Sequence, residues 1–287
     1  MGYNTIIEGI VQLIKKAEIE LPTDVVNALR NAYKVETGVA KTQIEVMLKN
    51  VDVARKTERP ICQDTGVQTF FVKVGVGSPY IGCLKDCITD AVKRATMVVP
   101  LRPNNVDPFT GKNHKKEDSW DDTLSITWDF VDGSDVLITA FPKGGGSENM
   151  SKLMMFKPSV GIDGVKDFVV NEMIKAGGNP CPPTVVGVGI GGGADLAMKL
   201  GKMALLRPVG VRHKDKTIAS LEEELIRRIN KSGIGPMGLG GKTTVLDVHV
   251  EKTNRHPASL PVGLVVQCWA ARRAEMVLHA DGKWEVK

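Results

Sequence analysis

Apolar residues near the start of the chain recur with helical spacing. Ile6, Ile10, Leu13, Ile14 and Ala17 fall on one face of a 3.6-residue period. Thr5 and Glu8 have the spacing of a capping box. Leu21-Pro22-Thr23 breaks this helix and starts a second, from about Asp24 to Glu36, which Gly38 closes. A third helix is predicted from about Lys41 to Lys56. The period then changes. Thr69–Val76 alternates as a strand does, and Ser78-Pro79 reads as the N-cap and first turn of a helix reaching about Met97. Further on, strands are predicted over Leu124–Val131, Val136–Phe141, Val185–Ile190, Thr243–Lys252 and Leu264–Trp269. Helices are predicted over Asp163–Ala176, Ala194–Leu206 and Ile218–Lys231. Helices come first and mixed strands and helices follow, which predicts an α+β fold. No repeat, low-complexity tail or clear linker interrupts the pattern, so residues 1–287 read as one domain.

Between these elements lie unusual loops. Pro100–Asp118 is long and polar, and loops of that length are often functional. Others read PKGGGSEN, GGNPCPP, GIGPMGLGG and NRHPASLPVG. They hold much of the chain's 30 Gly and 15 Pro. The rest of the composition is ordinary for a globular protein, with 42% hydrophobic and 25% charged residues. The net charge of +5 is small and evenly spread, and aromatics are only 5%. Both argue against nucleic acid as a partner. A small anionic substrate fits the mild positive bias. No apolar run reaches the ~18–20 residues of a membrane span. The first residues lack a signal-peptide core, and Ile6 breaks the myristoylation pattern. Five cysteines, an odd number, argue against a disulfide framework, and the expected compartment is a reducing cytoplasm.

Several motifs invite chemistry. Gly187, Gly189 and Gly192 satisfy G-x-G-x-x-G between a predicted strand and helix. The acidic residue expected about 20 positions on is missing. A tight turn, an anion site at the helix start and a nucleotide site all stay open. Gly241-Lys242-Thr243 resembles the end of a phosphate loop, but Pro236 stands where its first glycine belongs and a strand pattern follows. Cys83 and Cys87 share a helix face and read as two small core residues. Cys62, Cys181 and Cys268 differ, since two of them sit in stiff loops among prolines. They are either three buried thiols or ligands of an iron–sulfur cluster with one iron left open. Asp64, Arg102 and His256 have the chemistry of an acid/base or orienting group, a carboxylate clamp and a proline-held imidazole. Each can equally be a solvated loop residue. The three glycines of GGGSEN allow close backbone approach and an anion-binding nest.

Taken together, RPICQDTG, LRPNNVDPFTGKN, PKGGGSENMS, NPCPPTVVGVGIGGGAD and NRHPASLPVG…VVQCWAARR resemble the class I, iron–sulfur fumarate hydratases and the related L-tartrate dehydratases. The resemblance runs in order from about Cys62 to Trp269 and matches the α subunit, the N-terminal part of the fused enzymes. It implies a [4Fe–4S] cluster on Cys62, Cys181 and Cys268. It implies substrate contacts from Gln63, Asp64, Arg102, Gly145, Glu148, Asn149 and His256, with Asp64 as the catalytic candidate. It further implies a β subunit that completes the site, in an α2β2 assembly, and a small dicarboxylate substrate. Hydration of fumarate to malate is the expected reaction, with dehydration of tartrate to oxaloacetate as the alternative. Cys83 and Cys87 match no ligand of that family, and Gly187–Gly193 becomes scaffold or anion contact.

Overall fold

The two sequence periods take definite places in a computed structural model that describes residues 2–113 and 124–287. In chain order the elements are α1 (Tyr3–Ile19), α2 (Thr23–Val35), α3 (Gly38–Thr57), β1 (Thr69–Gly75), α4 (Leu84–Val98), β2 (Ser125–Val131), β3 (Val136–Ala140), α5 (Gly145–Glu148), β4 (Lys152–Phe156), α6 (Gly161–Ala176), β5 (Thr184–Gly192), α7 (Ala194–Ala204), α8 (Lys216–Asn230), β6 (Val245–Arg255), β7 (Leu260–Gln267), β8 (Ala274–Leu278) and β9 (Trp284–Val286). The fold is α+β, as expected. Contacts group the chain into two units. Unit 1 comprises Met1–Pro22, Asn50–Gly145 and Arg272–Lys287, and unit 2 comprises Thr23–Lys49 and Gly146–Ala271. No helix among the described residues is long and apolar enough to cross a membrane.

Unit 1 is built on a five-stranded sheet of order β2-β1-β3-β8-β9. The β1–β2 pair is parallel and the other pairs are antiparallel. Alternation along β1 sends Phe70, Val72 and Val74 into one core, while Lys73 stays exposed. The apolar stripe of α1 (Ile6, Ile10, Leu13, Ile14, Ala17) joins that core. So does the face of α4 made by Cys87, Ile88, Ala91, Val92 and Ala95. Each fully buried Leu or Ile there contributes roughly 1.5–3 kcal/mol. Cys87 is one of these core side chains, and burial, then the neighbouring Cys83, pushes its thiol up to about 12. That suits a packed side chain and not a metal ligand.

Unit 2 carries a four-stranded sheet of order β4-β7-β5-β6. Its core joins Val186, Val188, Val248, Val250 and Leu264 with Val165, Val169 and Met173 of α6 and Leu221, Leu225 and Ile229 of α8. Helix α7 approaches β5 very closely. A Cβ on Gly187 would meet the Gly201 carbonyl at 2.0 Å, and one on Gly189 would meet the Ala197 carbonyl at 2.0 Å. These glycines are therefore required by helix–sheet contact. A buried ionic network also runs through the unit. Arg207 and Arg212 both reach Glu222, Arg212 pairs with Asp247, and His249 contacts Asp247 at 3.1 Å.

Several local expectations need correction. Thr5 and Glu8 form no capping box, because the helix already begins at Tyr3 with Gly2 at its N-cap and no side-chain cap. Glu8 pairs instead with Arg94 of α4. Gly38, at φ +55°, opens α3; it does not end α2. Ser78-Pro79 leads into turns, and α4 starts only at Leu84, after Cys83 has bonded back to the Tyr80 carbonyl. Strands β4, β8 and β9 were not anticipated. β4 is exposed along nearly its whole length and β9 has three residues, so neither shows a buried-face period, while β8 buries Ala274, Met276 and Leu278 in alternation but is only five residues long. The last part of the loop expected over Pro100–Asp118, residues 114–118, lies outside the described residues.

Candidate functional site

In unit 1 the segment from Ile61 to Gln68 carries Cys62, Gln63 and Asp64. It is tied down at its start, where Ile61 donates to the Glu18 carbonyl at 2.9 Å and Asn50 Nδ2 donates to the Ile61 carbonyl at 2.8 Å. Cys62 is half-buried and Gln63 exposed. The Asp64 carboxylate is fully engaged by the chain. Oδ1 accepts from Gly66 N–H (2.9 Å) and Asn104 Nδ2 (3.1 Å), and Oδ2 accepts from Gly145 N–H (2.9 Å). A Cβ on Gly144 would lie 3.2 Å from Asp64 Oδ2, a tight contact that a glycine avoids. The glycine loop therefore does form an anion cradle in part, and the anion that Gly145 holds is Asp64 itself.

Arg102 is exposed and carried on an ordered loop. Its N–H donates to Thr65 Oγ1 at 3.0 Å, and the preceding Leu101 is buried. Asn113 Nδ2 donates to the Pro103 and Asn105 carbonyls, and Val106 bridges to Asn113. Arg102 thus leaves a guanidinium at the surface of a stiff support.

In unit 2, Cys181 is half-buried and held at φ +53°, the left-handed region that non-glycine residues rarely adopt. Two contacts enforce it. Trp269 N–H donates to the Cys181 carbonyl at 3.1 Å, and Met237 N–H donates to the Pro182 carbonyl at 2.8 Å. The first joins the Cys181 loop to the residue after Cys268, so the unit brings these two cysteine segments together. The second explains the GIGPMGLGG stretch, whose Gly238 packs against Gly178 so closely that a Cβ would meet its Cα at 2.7 Å. Cys268, also half-buried, directly follows β7. Glu148 pairs with Lys202 at 2.9 Å, and Asn149 is exposed. His256 is exposed, and its Nδ1 accepts from Ala258 N–H at 3.1 Å, which leaves the proton of the neutral ring on Nε2. Arg255 shapes this turn by donating to the carbonyls of His256, Pro257 and Ser259.

Neither unit alone gathers three His, Cys, Asp or Glu side chains placed for a metal ion among the described residues. Cys62 lies in unit 1 and Cys181 and Cys268 in unit 2. As a donor set, three half-buried thiols, two in proline-stiffened loops and one at the end of a strand, fit an iron–sulfur cluster with one iron not bound by cysteine.

Two nucleotide-like motifs receive structural explanations. Gly187 and Gly189 lie within β5 and are used by the contact with α7. The backbone N–H groups of Lys242 and Thr243 surround the buried carboxylate of Glu36, at 2.6–3.0 Å. The phosphate-loop resemblance is therefore a cradle already filled by a side chain of the same unit.

Sequence reasoning missed the support beneath Asp64. Glu18 and Arg272 are buried and paired at 2.6 Å. Glu18 had a readable signal, because Ile10, Ile14 and Glu18 follow at i+4 spacing and put a charge on an apolar stripe. Burial pushes its carboxyl up, against the opposing pull of Arg272 and Gln68. Arg272 and Asn104 had no local signal. Lys143, 2% exposed beside the glycine loop, was also passed over, since a lysine among loop residues is normally solvated.

Comparison with known proteins adds the following. A family model described as fumarate hydratase (Fumerase) matches residues 7–277. A protein of Methanocaldococcus jannaschii, provisionally named L(+)-tartrate dehydratase subunit alpha, is 50% identical over 278 residues, 96% of this chain and 98% of its own. The L(+)-tartrate dehydratase subunit alpha of Escherichia coli O157:H7 is 38% identical over 288 residues, covering 98% of this chain and 93% of its own. The subunit of that name from Shigella sonnei is 37% identical with the same coverage.

Proposed function

This chain belongs to the fumarate hydratase (fumerase) family of hydro-lyases, and on that premise we propose that it is the α subunit of an L(+)-tartrate dehydratase. It works with a β subunit and a [4Fe–4S] cluster in a reducing compartment. The observation that carries tartrate over fumarate is the full-length similarity to chains named as tartrate dehydratase α subunits, up to 50% identity. That reverses the order expected from the motifs alone. Fumarate hydration remains the second reading, because the matching family model carries that description.

The reaction removes a proton from one carbon of tartrate and hydroxide from the next, and the enol formed tautomerises to oxaloacetate. Cys62, Cys181 and Cys268 are the proposed cluster ligands. When bound, the cluster supplies Lewis acidity toward a carboxylate and the departing hydroxyl. The chain's own side chains bind and orient. Arg102 offers two parallel N–H donors to one carboxylate. His256 offers Nε2–H to the other, its tautomer fixed by Ala258 N–H. Gln63, Glu148 and Asn149 line the substrate, and Gly145 serves it through Asp64, whose Oδ2 it holds. Asp64 is the proposed proton-handling or orienting group. With its carboxylate fixed by three donors it needs little reorganisation during the reaction.

The test is anaerobic reconstitution of the α–β complex with iron and sulfide. The expected result is a broad visible absorbance that Cys181→Ala abolishes together with turnover of L(+)-tartrate. A cluster retained in full by Cys181→Ala would remove the ligand assignment.

A further inference from the structure

We infer that Glu18 and Arg272 are positioning residues, a buried ion pair that sets the place of Asp64. The inference rests on the proposed role of Asp64 above. The pair touches the Ile61–Gln68 segment at three points, Ile61, Gln68 and Asp64. The Glu18 carbonyl accepts from Ile61 N–H at 2.9 Å. Glu18 Oε1 accepts from Gln68 Nε2 at 2.9 Å, and the same Gln68 nitrogen reaches the Thr65 carbonyl at 3.2 Å. Glu18 Oε2 takes Arg272 Nη1 at 2.6 Å, and Arg272 Nη2 donates to the Asp64 carbonyl at 2.9 Å. Glu18 and Gln68 are wholly buried and Arg272 is 1% exposed.

Burial of this kind is costly. An apolar pair of similar volume is often as stable as a buried ion pair or more so. Stability alone therefore gives weak grounds for charges at these positions. What an apolar pair cannot do is donate to the Asp64 carbonyl and accept from Gln68, and those bonds aim the segment. The backbone of Asp64 is fixed from below by Arg272. Its carboxylate can then meet Gly66, Asn104 and Gly145 at 2.9–3.1 Å. Thr65, the next residue, receives Arg102 N–H, so the same anchor reaches the loop that presents the Arg102 guanidinium.

The experiment compares the wild-type chain with Arg272→Lys, Glu18→Gln and the double variant Glu18→Leu/Arg272→Met. Amide exchange is followed in the full chain, and steady-state kinetics in the reconstituted α–β complex. The amides of Gly66 and Gly145 report on the Asp64 carboxylate, and the amide of Val72 in β1 reports on the core. In the double variant both charges leave together, so no single buried charge is left to unfold the chain. The expected result is melting temperature and Val72 exchange near wild type, with Gly66 and Gly145 exchanging roughly tenfold faster. Turnover number should fall roughly 10–100-fold at unchanged cluster absorbance. Arg272→Lys, which keeps the charge on a single nitrogen in place of the two-nitrogen fork, should recover part of it, and Glu18→Gln should fall between. Folded variants with unchanged Gly66 and Gly145 exchange, or with faster exchange and unchanged turnover number, would overturn the inference. If wild-type complex turns over neither tartrate nor fumarate, the functional reading fails, while the exchange data still decide whether Glu18 and Arg272 place Asp64.

Discussion

Asp64 accepts hydrogen bonds on both carboxylate oxygens from groups of its own unit, two of them backbone N–H. Asp64→Asn would place an amide donor against at least one of these donors. Folding should change little, by about 1–2 kcal/mol. Turnover in the α–β complex should fall by roughly 10²–10⁴-fold if the carboxylate handles a proton. Kinetics and a melting curve on the same preparation check both. Asp247 gives a residue-scale test of stability. Burial works to raise its carboxyl, but His249, Gly210 N–H and Arg212 hold it below the ordinary aspartate value of 3.8. A carboxyl lowered in the folded state stabilises above its unfolded pKa, and that contribution is lost as pH falls through the folded value. The stability gap between wild type and Asp247→Asn should therefore be constant above about pH 5 and narrow below the ordinary aspartate range. A gap that widens on acidification would contradict the sign. At this scale the sequence was partly readable. Residue types flagged Asp64, Arg102 and His256, but neither the Glu18–Arg272 pair nor Asn104 could be joined to them, since the partners are separated by 254 and 40 positions.

At the scale of elements, periodicity succeeded where one face is buried. The stripe of α1 and the alternation of β1 and β6 gave their elements directly. It failed for β4, whose Leu153, Met154 and Met155 are all substantially exposed, and for β9, three residues long. The glycines of β5 show how a motif can mislead. G-x-G-x-x-G requires no side chain at three positions, and a helix packed directly on a strand makes the same demand at two of them, Gly187 and Gly189. Gly189→Ala tests which demand applies. Its Cβ would fall 2.0 Å from the Ala197 carbonyl, so α7 must shift. The expected cost is roughly 1–3 kcal/mol or more, with a lowered melting temperature. Addition of NAD or NADP to wild type should leave the melting temperature unchanged. An increase of several degrees with either would restore the nucleotide reading.

For the whole molecule, the sequence shows no linker and reads as one domain. The contacts form two units, and the chain passes between them after residues 22, 49, 145 and 271. One passage lies inside α3, where a helical pattern conceals it. The motifs gave the family, since five ordered segments resemble it, and the match over residues 7–277 establishes it. Substrate was not readable from them, because fumarate hydration and tartrate dehydration ask for the same carboxylate clamps, and no single residue type separates the two. The proposed need for a β subunit predicts that the reconstituted chain alone turns over tartrate far more slowly than the complex, and addition of the β subunit should restore the rate. The most direct measurement is the kcat/KM of the reconstituted α–β complex for L(+)-tartrate and for L-malate, measured side by side under anaerobic conditions. The account predicts oxaloacetate from L(+)-tartrate, with kcat/KM above that for malate. Rapid interconversion of malate and fumarate with no turnover of L(+)-tartrate would contradict it.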